Sequence, residues 1–144
     1  MDLKTGQYIN VVIDTYAWIE YFNGTTEGIK VKDIIIEAEY VYTPSIVLAE
    51  LARKYFRSGV DYKTIEKRLK IIEELSIIVG IDSTLALKAA EAYFDLISHT
   101  RKLGLKSKPG LGDTLILATA RLLKAKVVTG DQHFKGLKET IWIG

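Results

Sequence analysis

Residues Val11–Phe22 read VVIDTYAWIEYF. Val11-Val12-Ile13 is a short β-branched run, the composition of a buried strand. Asp14 ends it. Thr15–Phe22 then keeps helical spacing until Asn23-Gly24, a turn signal. The stretch reads as a strand handing over to a helix through an acid. A lone buried carboxylate is costly. Asp14 therefore either caps the helix that starts at Thr15 or belongs to a site.

Working outward, the same alternation continues. The first strand is expected over Tyr8–Ile13. Thr25 or Thr26 caps a second helix to about Glu39, with Ile29, Ile34, Ile35 and Ala38 as its apolar stripe. Tyr40–Tyr42 is a second strand. Thr43-Pro44 is read as a cap followed by proline at the first helical position, opening a helix that reaches Ser58-Gly59. Asp61 caps the next helix, which carries Ile65, Leu69, Ile72 and Leu75. Ser76–Val79 is a strand closed by Gly80. Asp82 or Ser83 starts a long helix to Leu103. The loop GLKSKPGLG (104–112) precedes a helix over Thr114–Leu123, a strand over Lys126–Thr129 and a last strand over Lys138–Ile143. Strands alternating with helices predict an α/β fold with a central, mainly parallel sheet of four or five strands and right-handed crossovers. No repeat or linker divides the chain, so residues 1–144 read as a single domain.

Composition excludes several chemistries. With no cysteine, the chain has no disulfide, no thiolate zinc site and no cysteine nucleophile. His99 and His133 are its two imidazoles, too few for a multi-histidine metal site. A net charge of +2 neither demands nor forbids an anionic partner, so the placement of charge must decide. The opening MDLKTGQYIN lacks the apolar run of a signal peptide, and no stretch approaches the length of a membrane span. A cytoplasmic protein away from membranes is the expectation.

Ligands of an open parallel sheet bind beyond the carboxyl ends of its strands. Asp14 falls there, and so does Asp131, one residue after Thr129-Gly130. Asp113 opens the helix after the 104–112 loop. Glu50 lies inside the helix that follows Pro44, among Leu48, Ala49, Leu51 and Ala52. Each has a simpler reading: Asp14 and Asp113 as caps, Asp131 as a turn residue, Glu50 as a surface partner of Lys54 at i+4. Gathered together, the four would repel one another and raise their pKa values, and a divalent cation relieves that. Carboxylate oxygens without thiolates suit Mg²⁺ or Mn²⁺.

The ordered set VVIDTYAWIEYF, TPSIVLAELARKY, LGDTLILATARLL and VVTGDQHFKGL resembles the four signature segments of PIN-domain ribonucleases, most closely the VapC toxins of type II toxin–antitoxin pairs. The resemblance covers essentially the whole chain. It implies a three-layer α/β/α PIN-like fold and metal-dependent hydrolysis of RNA phosphodiester bonds. The family's acids fall on Asp14, Glu50, Asp113 and Asp131. Asp14, Asp113 and Asp131 would hold Mg²⁺, with Mn²⁺ substituting, and Glu50 would act through water as a ligand or as a general base. Thr129 matches the hydroxyl residue that the family often places before its last acid, and Thr15 the one after its first. Thr129 is a candidate to bond an acid or the substrate, or is simply a buried strand-end threonine. The resemblance also implies a homodimer and a cognate antitoxin protein.

RNA needs cations. Arg101, Lys102, Lys106 and Lys108 lead into Asp113 and are one candidate set. Arg53, Lys54 and Arg57 are a second. Tyr16, Trp18 and Tyr21 are available for stacking, although a core or interface role fits most of them. His133 reads as a turn residue with Phe134 packing inward. A haloacid-dehalogenase-type phosphatase would need an acid where Tyr16 stands. A receiver domain would need paired acids before the end of the first strand, where Asn10–Ile13 has none. The remaining rival is a non-catalytic module of the same fold that binds RNA or acts as a scaffold.

Overall fold

The structure, a computed structural model, describes residues 9–144. Five strands form one wholly parallel sheet: β1 (Asn10–Ile13), β2 (Tyr40–Pro44), β3 (Ile77–Val79), β4 (Lys126–Thr129) and β5 (Thr140–Trp142), in the order β3-β2-β1-β4-β5. Six helices connect them: α1 (Thr15–Asn23), α2 (Thr26–Glu37), α3 (Ser45–Arg57), α4 (Tyr62–Leu75), α5 (Ser83–Lys102) and α6 (Leu111–Leu122). Each expected strand is present. The Tyr8 end of the first lies outside the described residues.

The strand order reverses direction after β3. Right-handed crossovers therefore put α1–α4 on one face and α5–α6 on the other. The central strands carry the core: Val11, Val12, Ile13, Val127 and Val128 are fully buried. That is the pattern of a parallel sheet covered on both faces.

Local chemistry fixes most helix ends. Asp14, Thr25, Asp61 and Asp82 each accept a backbone N–H from the first turn of the helix that follows. Gly24 closes α1 in the left-handed conformation, φ 64°.

Three expectations are corrected. Thr43 does not cap α3. Thr43 and Pro44 extend β2, and Pro44 sits one position before the helix with φ −59° and ψ 137°. Its fixed φ suits an extended residue as well as a helical one. Thr43 instead faces the core, accepting from Trp18 Nε1 at 3.1 Å and lying 2.7 Å from the Ser76 hydroxyl. Next, α6 begins at Leu111, three residues before the expected Thr114. Finally, Ile29 is 58% exposed, and Val31 and Gly28 take the packed face of α2. A Cβ at Gly28 would lie on the Glu20 carbonyl of α1, so glycine lets the two helices meet there.

Candidate active site

The switch point of the sheet lies between β1 and β4, whose next neighbours run to opposite sides. Crevices form at such points, outside the carboxyl ends of the strands. A cleft of about 310 Å³ lies there, lined by Asp14, Glu50, Asp113 and Asp131 together with Thr15, Tyr16, Glu20 and Lys54. All four acids singled out in the sequence thus share one cleft.

Asp14 is 3% exposed. Its Oδ1 accepts the Ala17 N–H at 2.8 Å, so it caps α1 and lines the cleft at once. Burial raises its pKa from the usual 3.8 to about 7; hydrogen bonds from Thr129 and Ala17 pull the other way, and Asp131 and Asp113 add repulsion. Thr129 is fully buried, and its hydroxyl also accepts the Asp131 N–H at 2.9 Å. One side chain therefore holds the acid that follows β1 and the backbone of the turn after β4.

Asp113 is the third residue of α6, and its Oδ2 accepts the Gly110 N–H at 2.9 Å. The early start of α6 turns the expected cap into a first-turn acid reaching back to the cap position. Burial raises its pKa, and Asp131 and Glu50 contribute. Asp131 Oδ1 accepts the His133 N–H at 2.9 Å and lies 2.8 Å from His133 Nδ1. Burial would lower the His133 pKa, but the Asp131 carboxylate outweighs it and the net shift is upward. His133 Nε2 is 3.1 Å from the Ser107 carbonyl and hydroxyl, so the imidazole ties the 103–110 loop to Asp131. Phe134 beside it is fully buried, as its sequence context implies.

Glu50 is half-buried. It accepts the Thr15 hydroxyl at 2.9 Å on Oε1, rather than pairing with Lys54. A Cβ at Gly112 would lie 2.5 Å from Oε2, so the backbone of α6 abuts the carboxylate.

The other candidates divide. Arg101, Lys102, Lys106 and Lys108 are exposed and do not line the acid cleft. Trp18 is core, with its ring against Tyr21 and Phe22. Tyr16 does reach the cleft, its ring so close to Gly130 that a Cβ there would overlap it. Glu20 was not anticipated, although its i+4 spacing from Tyr16 puts both on one face of α1.

Ligand atoms converge as a divalent cation requires, two of them carboxylate oxygens and one an imidazole nitrogen. Single ligand atoms of Asp113, Asp131 and His133 lie within 4.8 Å of one another, and buried Asp14 lines the same cleft. The donor set fits Mg²⁺ or Mn²⁺.

Fold and cleft together define a doubly wound α/β protein with an acidic crevice at its switch point. The PIN domain profile matches residues 11–139, and the chain belongs to the PIN domain family. Its fold is similar to a chain of VapBC2 from Rickettsia felis bound to a promoter DNA fragment (TM-score 0.68, 19% identity, 93% of this chain and 97% of that one). It is also similar to a chain of a toxin–antitoxin complex from Klebsiella pneumoniae (0.65, 19%, 93% and 98%). A third is VapC20 of Mycobacterium tuberculosis, described as a sarcin–ricin loop cleaving toxin (0.63, 15%, 89% and 95%). No curated protein matches the chain.

Proposed function

We propose that this chain is a Mg²⁺- or Mn²⁺-dependent ribonuclease and the toxin of a type II toxin–antitoxin pair. The observation that carries the reading is the convergence of Asp14, Glu50, Asp113 and Asp131 on one cleft. Family membership and the toxins among the similar structures support it.

Asp14, Asp113 and Asp131 would hold the cation. When bound, it supplies positive charge for the phosphoryl oxygens and makes a water more acidic. The protein's own groups do the rest. Thr129 orients Asp14. Thr15 fixes Glu50, which is placed to take a proton from the attacking water or to hold the cation through water. With its pKa near 7, Asp14 holds a proton in a substantial part of the molecules at neutral pH when alone, and a bound cation favours its charged form.

A homodimer is supported by an apolar strip on α5, where Leu87 and Phe94 are each about 70% exposed. The antitoxin partner rests on the similar complexes. A cytoplasmic location belongs to this reading, and among the described residues no helix is long and apolar enough to cross a membrane.

The test is RNA cleavage by the purified protein with Mg²⁺ or Mn²⁺, against EDTA and against Asp14→Asn. Cleavage that needs metal and disappears in the folded variant supports the reading. A protein that binds Mn²⁺ and leaves every RNA intact is instead the non-catalytic module. A protein that binds no metal removes the site.

A further inference from the structure

Glu50 lines two depressions. One is the acid cleft. The other, of about 410 Å³, is lined by Ile46, Ala49, Arg53, Gly110, Leu111 and Gly112. Sharing a wall, the two run together across α3 and the start of α6. Gly112 packs so closely on the Glu50 carboxylate at this junction that a Cβ there would strike it.

Two cations sit along this groove. Lys54 lines the acid cleft and Arg53 the second depression. Both are exposed, and among the described residues neither has an ion-pair partner. The five carboxylates of the acid cleft, Glu20 included, would alone repel a polyanion, so charge of the opposite sign at the groove is what admits one. The second depression has an apolar floor of Ile46, Ala49 and the 70% exposed Leu111. Such a floor suits the face of an unpaired base, which a duplex keeps stacked inside.

Resting on the nuclease reading above, we propose that a single-stranded segment of the RNA runs from the acid cleft over Gly112 into this second depression. Lys54 and Arg53 hold its phosphates, and a base rests on Leu111, Ile46 and Ala49. Lys106 and Lys108 line neither depression.

The experiment uses the full chain and a fluorescent single-stranded RNA of mixed sequence, with binding followed by anisotropy in EDTA at several salt concentrations. Arg53→Gln/Lys54→Gln should weaken binding roughly tenfold and reduce the salt slope by about 1.4, two contacts at about 0.7 each. Lys106→Gln/Lys108→Gln should leave affinity within about twofold of the unmodified protein. Gly110→Asp is the independent arm. Its φ of −85° and ψ of 175° suit any residue, aspartate is a favoured cap, and a Cβ there meets nothing closer than 3.9 Å. It should keep the fold, read as a cooperative melt, while weakening RNA binding, because it puts a negative charge in the groove. Variants that keep the unmodified affinity and slope overturn this inference alone. Duplex RNA that competes as well as the single strand overturns the single-strand path. A parent protein that binds no RNA removes the nuclease reading and this inference together.

Discussion

Gly112 brings the backbone of α6 against the Glu50 carboxylate of α3, leaving no room for a β-carbon. Two helices from opposite faces of the sheet thus meet at a functional candidate, and the smallest residue sets its position. Gly112→Ala should force Glu50 to swing aside. Alanine also gains up to about 1 kcal/mol of helix propensity, so stability should fall little. The expected result is a tenfold or larger loss of kcat/KM with Tm near that of the parent, read from steady-state cleavage and thermal melting. Full activity would mean that the placement of Glu50 is unimportant.

Thr15 donates to Glu50 at 2.9 Å. Thr15→Val keeps the shape and removes the donor. A hydrogen bond to a charged group contributes about 1.5–3 kcal/mol, so kcat should fall by roughly 10- to 100-fold. Thr15→Ser should restore most of it. If valine and serine behave alike, the hydroxyl has no part in holding Glu50.

Away from the cleft, Trp18 Nε1, Thr43 and Ser76 form a buried chain that ends on the Ile72 carbonyl. Ser76 gives its proton to Ile72, so Thr43 donates to Ser76 and accepts from Trp18. Thr43→Val leaves the indole N–H of a fully buried ring unpaired. The expected cost is about 1–3 kcal/mol in urea unfolding, with kcat unchanged. A variant as stable as the parent would show that the chain contributes nothing net.

Much of this was legible in the sequence because its causes are local. The β-branched runs at Val11–Ile13 and Lys126–Thr129 become adjacent strands, and Asp61 and Asp82 cap their helices as their contexts imply. The errors fall where one residue type serves two structures. Proline's φ fits strand and helix alike, so the end of β2 passed for the start of α3. The glycines around Leu111 imitate a loop although they begin α6. Glu50 paired with Thr15, 35 residues away, and not with its neighbour Lys54 because tertiary packing, absent from any local window, decided it. The gathering of the four acids is a property of strand order. Strand-end placement pointed to Asp14 and Asp131, and the family resemblance joined Glu50 and Asp113 to them.

Asp14 carries the last prediction. Its folded pKa stands near 7 against an ordinary 3.8, chiefly because it is buried. Between these values the folded protein binds more protons than the unfolded chain. The stability linked to Asp14 is therefore fully present below about pH 4 and is lost as pH rises through about 7. Asp113 shifts in the same direction. In EDTA, the parent's Tm should accordingly fall from pH 6 to pH 8. Asp14→Asn removes the charge but keeps an oxygen for the Ala17 N–H, so its Tm in EDTA should exceed the parent's at pH 8, with the gap closing toward pH 5. Mn²⁺ should reverse the order at pH 8 by stabilising the parent alone, because protons and cation compete for the same carboxylate. Thermal melts of both proteins at pH 5, 6 and 8, with EDTA and with Mn²⁺, measure every arm. A variant less stable than the parent in EDTA at pH 8 would mean that Asp14 works chiefly as a cap, its charge already tolerated without metal.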